Sequence, residues 1–317
     1  MTNCVIGIDI GGTNLRLALV LASGEIAARY RLPSLISEGR DAFCNRVLMG
    51  IAALRSEALS RNLHISGIGV GVPGLVGSSG MIHSSVNMRP LDGFNLATYL
   101  TEKTGYYVES ANDANAIALG EQLFGAGLGK LSFIVVTIGT GLGSGLVLDG
   151  KLWKGAGGFA SEFGHITVNP DGDVCHCGNH GCLERYASAD ALLRSMEGSL
   201  LPESPACRPE TAEAIARLAR GGNVEARHAF DQMGRWLGIA LASLSNLLNL
   251  EAVIIGGGVG ASLDLFEPAV RSELSKRCFT EIYAGLEIVT GALGDDAGLL
   301  GAAALVSGCF RETDIQR

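Results

Sequence analysis

Three cysteines, Cys175, Cys177 and Cys182, lie within eight residues, and His165 stands ten residues before the first of them. Three thiolates and an imidazole make a full ligand set for one tetrahedral zinc. Two carboxylates, Glu162 and Glu184, bracket that set in the stretch E-F-G-H-I-T-V-N-P-D-G-D-V-C-H-C-G-N-H-G-C-L-E. A metal that folds this loop would also fix both acids in space, and work on a polyol needs groups fixed in that way. The fourth ligand has competitors, because His176 and His180 lie inside the cluster. His176 sits between two ligand cysteines and is expected to point away from a metal they share. His180, in a G-N-H-G turn, has the alternative of simple solvation. Cys4, Cys44, Cys207, Cys278 and Cys309 are scattered and are expected only to pack or to sit exposed.

Eight cysteines in 317 residues do not make a disulfide framework. The chain reaches a strand pattern by Cys4, with no basic leader and no long apolar run ahead of it, so no signal peptide is expected. The expected compartment is cytoplasmic, where thiols stay reduced and a C-x-C-x4-C cluster is a metal site more often than a disulfide pair.

Three glycine turns form a second set of candidates. Asp9-Ile-Gly11-Gly12-Thr13-Asn14 and Gly139-Thr140-Gly141 each follow a strand-like run and lead into another strand. Backbone N–H groups of such turns, with a threonine hydroxyl, cradle phosphate oxygens without a full positive charge. Asp9, just before the first turn, is suited to hold Mg2+ directly or through water. Gly256-Gly257-Gly258 follows V-I-I and precedes a helix, which suits close approach of a nucleotide base or ribose. Each turn alone has an ordinary structural reading, since glycine turns between strands are common in α/β proteins. No Walker A motif and no protein-kinase signature set is present, and no G-x-G-x-x-G follows the first strand.

Asn112-Asp113-Ala114-Asn115 stands at a strand end and a helix start. Asp113 or Asn112 could simply cap that helix. The second amide, Asn115, is more than a cap needs. At a helix N-terminus the dipole favours an ionised Asp113, and an ionised Asp is usable as a general base toward a sugar hydroxyl.

The elements that must position these groups alternate. Strand-like runs over 4–10, 15–21 and 25–32 precede a helical pattern over 38–62. Further strands are expected at 65–72, 106–110, 131–138, 144–149, 251–255 and 286–290. Helices are expected at 95–104, 112–125, 187–196, 210–220, 223–249, 264–277 and from about 297. This alternation predicts an α/β class. Residues 9–20 and 137–148 repeat one strand–turn–strand arrangement, suggesting two similar units that face one site between two domains. The only linker pattern is Gly198–Pro209. Forty-five glycines, about twice the usual share, cluster after strand runs, as loops do when they approach a ligand closely. The net charge of −8 and the lack of a basic block argue against nucleic acid. With no run of about twenty apolar residues, no membrane span is expected.

Taken together, these motifs resemble the ROK family of sugar kinases and related repressors, within the actin-like ATPase superfamily. The resemblance extends from D-I-G-G-T-N to G-D-D-A-G-L-L-G-A-A-A, and E-F-G-H with C-H-C-G-N-H-G-C-L-E is its most specific part. K-G-A-G-G-F-A-S-E-F-G-H-I-T-V-N-P-D-G and N-D-A-N-A-I-A-L-G-E look most like the family's bacterial ATP-dependent glucokinases. The resemblance implies a two-domain actin-like ATPase (ribonuclease H-like) fold with an interdomain cleft. The small domain would hold 1–113 plus 301–317, and the large one 114–300, with the zinc loop at 162–184. It implies ATP, Mg2+ and a structural Zn2+ on His165, Cys175, Cys177 and Cys182.

By the same resemblance, Asp9, Gly11, Gly12, Thr13 and Asn14 form the first phosphate loop. Gly139, Thr140 and Gly141 form the second, and Gly256 and Gly257 form the adenosine loop. Asp113 is the implied base toward the 6-hydroxyl, and Asn112, Glu162, His165 and Glu184 bond other hydroxyls. Asn87 is implied as a further sugar contact, although N-M-R-P-L-D-G-F departs from the family's N-L-P-G-W pattern. His165 would serve twice, one ring nitrogen on zinc and the other N–H toward the sugar. The implied activity is phosphorylation of a hexose at the 6-hydroxyl, glucose first. The rivals are N-acetylglucosamine, N-acetylmannosamine, fructose or allose as the substrate. A homo-oligomer, dimer or tetramer, is expected. The family's repressors carry a helix-turn-helix ahead of the first strand, and here three residues precede that strand, so the kinase reading is the expectation.

Overall fold

The computed structural model describes residues 2–85, 88–197, 209–306 and 308. Asn87 and residues 198–208 of the linker pattern lie outside them.

The chain opens as a meander. β1 (Thr2–Ile10) pairs antiparallel with β2 (Asn14–Leu21), which pairs with β3 (Ile26–Pro33). α1 (Arg40–Ser60) then crosses over to β4 (Leu63–Val72), parallel to β1. A small three-stranded sheet follows, formed by β5 (Leu75–Val76), β6 (Met81–Ser84) and β7 (Phe94–Asn95). α2 (Leu96–Thr104) leads to β8 (Val108–Asn112), parallel to β4, and α3 (Asp113–Phe124) starts at once. The resulting sheet order is β3-β2-β1-β4-β8.

The same plan recurs. β9 (Phe133–Ile138), β10 (Leu142–Leu148) and β11 (Lys151–Leu152) come first. After the cysteine loop come α4 (Glu184–Ala187), α5 (Ala189–Glu197), α6 (Ala212–Arg220) and the long α7 (Val224–Leu248). β12 (Ala252–Gly256), α8 (Leu263–Arg277), α9 (Thr280–Gly285), β13 (Glu287–Thr290) and α10 (Ala297–Leu305) complete the described chain. The second sheet runs β11-β10-β9-β12-β13, with β9, β12 and β13 parallel. Position for position this is the order of the first sheet, so the faint repeat at 9–20 and 137–148 extends to a whole doubled topology.

The chain divides into two compact units, Met1–Gly129 with Gly145–Ser161 and Ala292–Arg317, and Lys130–Ser144 with Glu162–Gly291. This differs from the expected 1–113 plus 301–317 and 114–300. The reason is α3, which packs on α10 instead of opening the second unit. Glycines permit that packing, since a Cβ at Gly120 would lie 2.9 Å from the Gly301 Cα. The buried carboxylate of Glu121 fastens the end of α3 by accepting N–H bonds from Ala126 (2.7 Å), Ala292 (3.2 Å) and Leu293 (3.2 Å).

In the first unit the sheet has two apolar faces. Ile6, Ile8, Leu15, Leu17 and Leu19 pack with Phe43, Val47, Ile51 and Leu54 of α1. Val5, Ala18 and Val20 pack with Leu299, Leu300 and Ala303 of α10. Alternate residues of the same strands feed the two faces, as a period of two requires. In the second unit α7 packs on α8, and Phe230 stacks with Phe266 at 6.4 Å. Among the described residues no helix is long and apolar enough to cross a membrane.

Candidate active site

In the first unit Asp9 and the Asn112-Asp113 pair emerge together. β1, β4 and β8 are parallel, with Asp9 opposite Gly71 and Val72 opposite Asn112, so both groups stand at carboxyl ends of neighbouring strands. Ligand sites of α/β sheets form at such ends. The first glycine turn closes with Gly11 N–H on Asn14 O at 2.9 Å. Ser34, buried, props it from behind, its hydroxyl donating to Gly12 O (2.6 Å) and its N–H to Thr13 O (2.9 Å). Gly12 and Thr13 are left exposed at the tip.

Asp9 is not a free carboxylate. Arg16, directly across the β1–β2 ladder, donates Nε to Asp9 Oδ2 at 2.9 Å and adds a second bond from Nη2 to the same oxygen. A magnesium that keeps its water shell fits the remaining oxygen, Oδ1, better than an ion that must displace Arg16. Gly298 touches the same carboxylate, for a Cβ there would lie 2.5 Å from the Asp9 Cγ. Arg16, Ser34 and Gly298 are neighbours of these candidates that sequence reasoning missed. Only the G-D-D-A-G-L-L-G pattern around Gly298 carried any signal.

The capping question at α3 resolves in favour of Asn112. Its Oδ1 accepts from Asn115 N–H (3.0 Å), and its Nδ2 donates to Gly74 O (3.1 Å). Asp113 is thereby the first helical residue and not the cap. Its Oδ1 accepts from Ala114 N–H at 2.8 Å.

The second unit gathers most of the remaining candidates. Gly139 N–H bonds Gly141 O at 2.9 Å, closing the second glycine turn, and Gly139 O accepts from Ala189 N–H at the start of α5. Gly256 stands opposite Thr137 in the β9–β12 ladder, so the third turn lies beside the second. Gly257 adopts φ 79°, and any Cβ there would strike Ile138 O. The Glu184 carboxylate rests on the second turn. Its Oε2 accepts Leu142 N–H at 2.9 Å, and a Cβ at Gly141 would collide with it. One acid expected to bind sugar thus touches a turn expected to bind phosphate.

Glu162 precedes and His165 ends a short 3-10 turn, Phe163–His165, held by Phe163 N–H on Ser144 Oγ (3.2 Å). His165 Nε2 lies 4.0 Å from Glu162 Oε2, too far for a direct hydrogen bond. Desolvation raises the Glu162 pKa, the Glu184 charge pushes it the same way, and His165 opposes.

The four proposed ligand atoms, on His165, Cys175, Cys177 and Cys182, all lie within 4.8 Å of one another. Cys177 Sγ and Cys182 Sγ are 3.6 Å apart, as are Cys175 Sγ and His165 Nδ1. Zinc–sulfur bonds of about 2.3 Å at tetrahedral angles require sulfur separations of about 3.8 Å. The donor set therefore fits a tetrahedral ion, with Nδ1 as the ligand nitrogen and Nε2 turned toward Glu162. Burial, with the neighbouring Cys177 and Cys175 thiols, pushes Cys182 up to about 12, while at Cys177 desolvation is outweighed by hydrogen bonds from the Asn179 backbone and the neighbouring thiols, which lower its pKa. His176 and His180 are exposed and outside the cluster. Asn179 braces the loop, donating to Thr167 Oγ1 at 3.0 Å.

The sequence pattern of the ROK family matches residues 5–308. A glucokinase of Halalkalibacterium halodurans is 33% identical over 311 residues, covering 95% of this chain and 94% of that one. The ROK family glucokinase from Streptomyces griseus, solved with glucose and AMPPNP, superposes with a TM-score of 0.80 at 32% identity, over 95% of this chain and 98% of that chain. A ROK family transcriptional regulator, a homologue of the E. coli MLC protein, gives a TM-score of 0.87 at 27% identity, over 98% of this chain and 78% of that one. The fold is the two-domain actin-like ATPase (ribonuclease H-like) fold. Its two matching sheets carry the glycine turns at their strand ends, and the cysteine–histidine loop follows the second turn. With the family pattern running from Val5 to Gly308, the chain belongs to the ROK family.

Proposed function

We propose that the chain is an ATP-dependent hexose kinase that phosphorylates the 6-hydroxyl, with glucose as its first substrate. The observation that carries this reading is the Glu184 carboxylate bonded to Leu142 N–H on the Gly139–Gly141 turn. That contact ties a hydroxyl acceptor to a phosphate cradle within the second unit. The glucokinase relatives support glucose, and the AMPPNP complex of the S. griseus protein supports ATP as donor.

Asp113 accepts the 6-hydroxyl proton as that oxygen bonds to the γ-phosphorus and the bond to the ADP oxygen breaks. Little covalent help is needed, because positioning and charge neutralisation dominate such transfers. Asn112, already tied to Gly74 O and Asn115 N–H, keeps the helix start in place while Asp113 works. Glu162, His165 and Glu184 bond the other hydroxyls, the carboxylates supplying charge-assisted acceptors. Asn87 belongs to the same proposal. N–H groups of the turns at 11–14, 139–141 and 256–257 hold phosphate and nucleoside. Magnesium, near Asp9, supplies charge neutralisation on the phosphates. Zinc on His165, Cys175, Cys177 and Cys182 supplies loop order, since four protein ligands leave no open position. A reducing cytoplasm suits these thiolates.

Sugar-dependent ADP release, measured over a panel of glucose, mannose, fructose, allose, N-acetylglucosamine and N-acetylmannosamine, tests the reading. Turnover with glucose at the highest kcat/KM supports it; no turnover with any sugar overturns it. The regulator likeness gives a second reading, and sugar binding without turnover is the result that favours it.

A further inference from the structure

The metal donors of the second unit sit on two arms of one loop. His165 ends the first arm, and Cys175, Cys177 and Cys182 lie on the second. A single backbone bridge, Thr167 with Cys182, joins the arms, and another, Val174 with His180, closes the second arm on itself.

Asn179 reaches across between them. Its backbone carbonyl accepts Cys175 N–H at 2.8 Å, which closes the turn that carries the first two cysteines. Its Nδ2 donates to Thr167 Oγ1 at 3.0 Å and lies 3.5 Å from both His165 O and Cys182 Sγ. One exposed residue outside the ligand set therefore touches three of the four ligand residues.

The sulfur's chemistry gives that amide a task. As a thiol, Cys182 donates its S–H to His165 O at 3.5 Å. A metal-bound cysteine is a thiolate, so on binding the proton leaves, the carbonyl loses its donor and the sulfur becomes an acceptor. Cys182 is 0% exposed, so solvent cannot take over at the sulfur. The Asn179 amide, with two N–H bonds, stands at the same distance from both groups and can serve each. Charge points the same way. Three thiolates and a neutral imidazole around a divalent ion leave an excess of negative charge, and an N–H donor on a sulfur spreads it.

We propose that Asn179 is a positioning residue for the metal: its side-chain amide holds the Cys182 thiolate and the His165 carbonyl, and so sets how firmly the loop keeps its ion. This rests on the zinc of the proposed function and not on turnover.

Competition for zinc between the intact protein and a colorimetric chelator, without sugar or nucleotide, tests this. Asn179→Ala and the nearly isosteric Asn179→Leu should each hold zinc about 10–100-fold less tightly than wild type. Thr167→Val removes the brace to the hydroxyl and spares the sulfur contact, so it should weaken zinc by less than about threefold. With cobalt in place of zinc, the sulfur-to-metal charge-transfer band should move to longer wavelength in Asn179→Leu and stay in place in Thr167→Val, because a thiolate without its N–H donor gives up charge more readily. Asn179 and Thr167 are both exposed, so none of these variants disturbs a core. Asn179→Leu equal to wild type in affinity and spectrum would reduce the residue to a space-filler and overturn the proposal. Thr167→Val matching the full loss of Asn179→Leu overturns it as well, by placing the effect in the brace. Wild type that takes up no zinc removes this inference together with the metal, whatever the sugar assay gives.

Discussion

In the proposed reaction, Asp113 and Glu184 divide two kinds of work that a kinase asks of a carboxylate. Asp113 stands one residue inside α3, with Asn112 carrying the cap. Removing its side chain therefore deletes a base without uncapping the helix. Asp113→Ala should lower kcat by about 10²–10⁴ while sugar affinity stays within about threefold. Substantial residual turnover, read by ADP release, would remove Asp113 from the mechanism. Glu184 is a holder. Glu184→Gln keeps an oxygen for Leu142 N–H and loses the charge, so the expected change is a sugar KM raised about tenfold, worth about 1.4 kcal/mol, with kcat nearly constant. A fall in kcat with KM unchanged would mean that Glu184 acts on the transition state instead. Their candidacies were legible in sequence for different reasons. The zinc ligands and their flanking acids are close in the chain, so spacing exposes them. Arg16 on Asp9, and Glu121 on Ala292 and Leu293, pair groups that only folding brings together, and spacing carries no sign of them.

At the scale of elements, strong periodicity was readable and short pieces were not. The long strands and helices appear within about two residues of expectation, because each spans several repeats of its period. β5, β7 and β11 have two residues each, too few for any alternation, and α9 has six. β8 begins two residues later than expected, because the aromatic pair Tyr106-Tyr107 reads as strand while the ladder starts at Val108. The glycine turns were visible as turns, yet the reason for Gly141 lies forty-three residues on, in the Glu184 carboxylate that a Cβ would strike. Gly141→Ala should force the turn and Glu184 apart and disrupt a charge-assisted bond worth about 1.5–3 kcal/mol. Steady-state kinetics should then show higher KM for both sugar and ATP. An effect confined to ATP would separate the turn from Glu184. Glu251 shows an element end that depends on pH. Its carboxylate accepts N–H bonds from Leu131 (2.6 Å) and Ser132 (3.0 Å), and the Ser132 bond leads in holding its pKa below the ordinary 4.5. A lowered carboxylate pKa adds stability above the unfolded value and loses it as pH falls through the folded one. The advantage of wild type over Glu251→Gln in urea melts should therefore be present at pH 7 and shrink below about pH 4.5. Being exposed, it should stay under about 1 kcal/mol. A difference that grew on acidification would contradict the assignment.

At the scale of the whole molecule, each unit has packing of its own. Clusters built on β1–β4 with α1 and α10 serve the first, and α7 on α8 with β9 and β12 serves the second. The metal donors lie wholly in the second unit. Their loop is joined to that unit's glycine turn through Glu184 and to its strand β10 through Ser144 and Phe163. The loop itself has little apolar burial to hold it, with His176, Cys177, Gly178, Asn179 and His180 all exposed in succession. Without an ion, four polar donors packed together repel or must stay protonated, so the loop should open locally and not globally. Stripping the protein with a chelator should therefore raise amide hydrogen exchange in peptides covering 162–186 and 139–142. Exchange in β1, β2 and β4 should be unchanged. Sugar KM should rise at least tenfold in the same preparation, and zinc at one equivalent per chain should restore both. Cys177→Ser, at the exposed ligand, should reproduce the stripped pattern without a chelator. Faster exchange spread evenly over both units would show the metal to be a support of the entire fold. No change in exchange or KM would show that the cluster holds nothing the sugar site depends on.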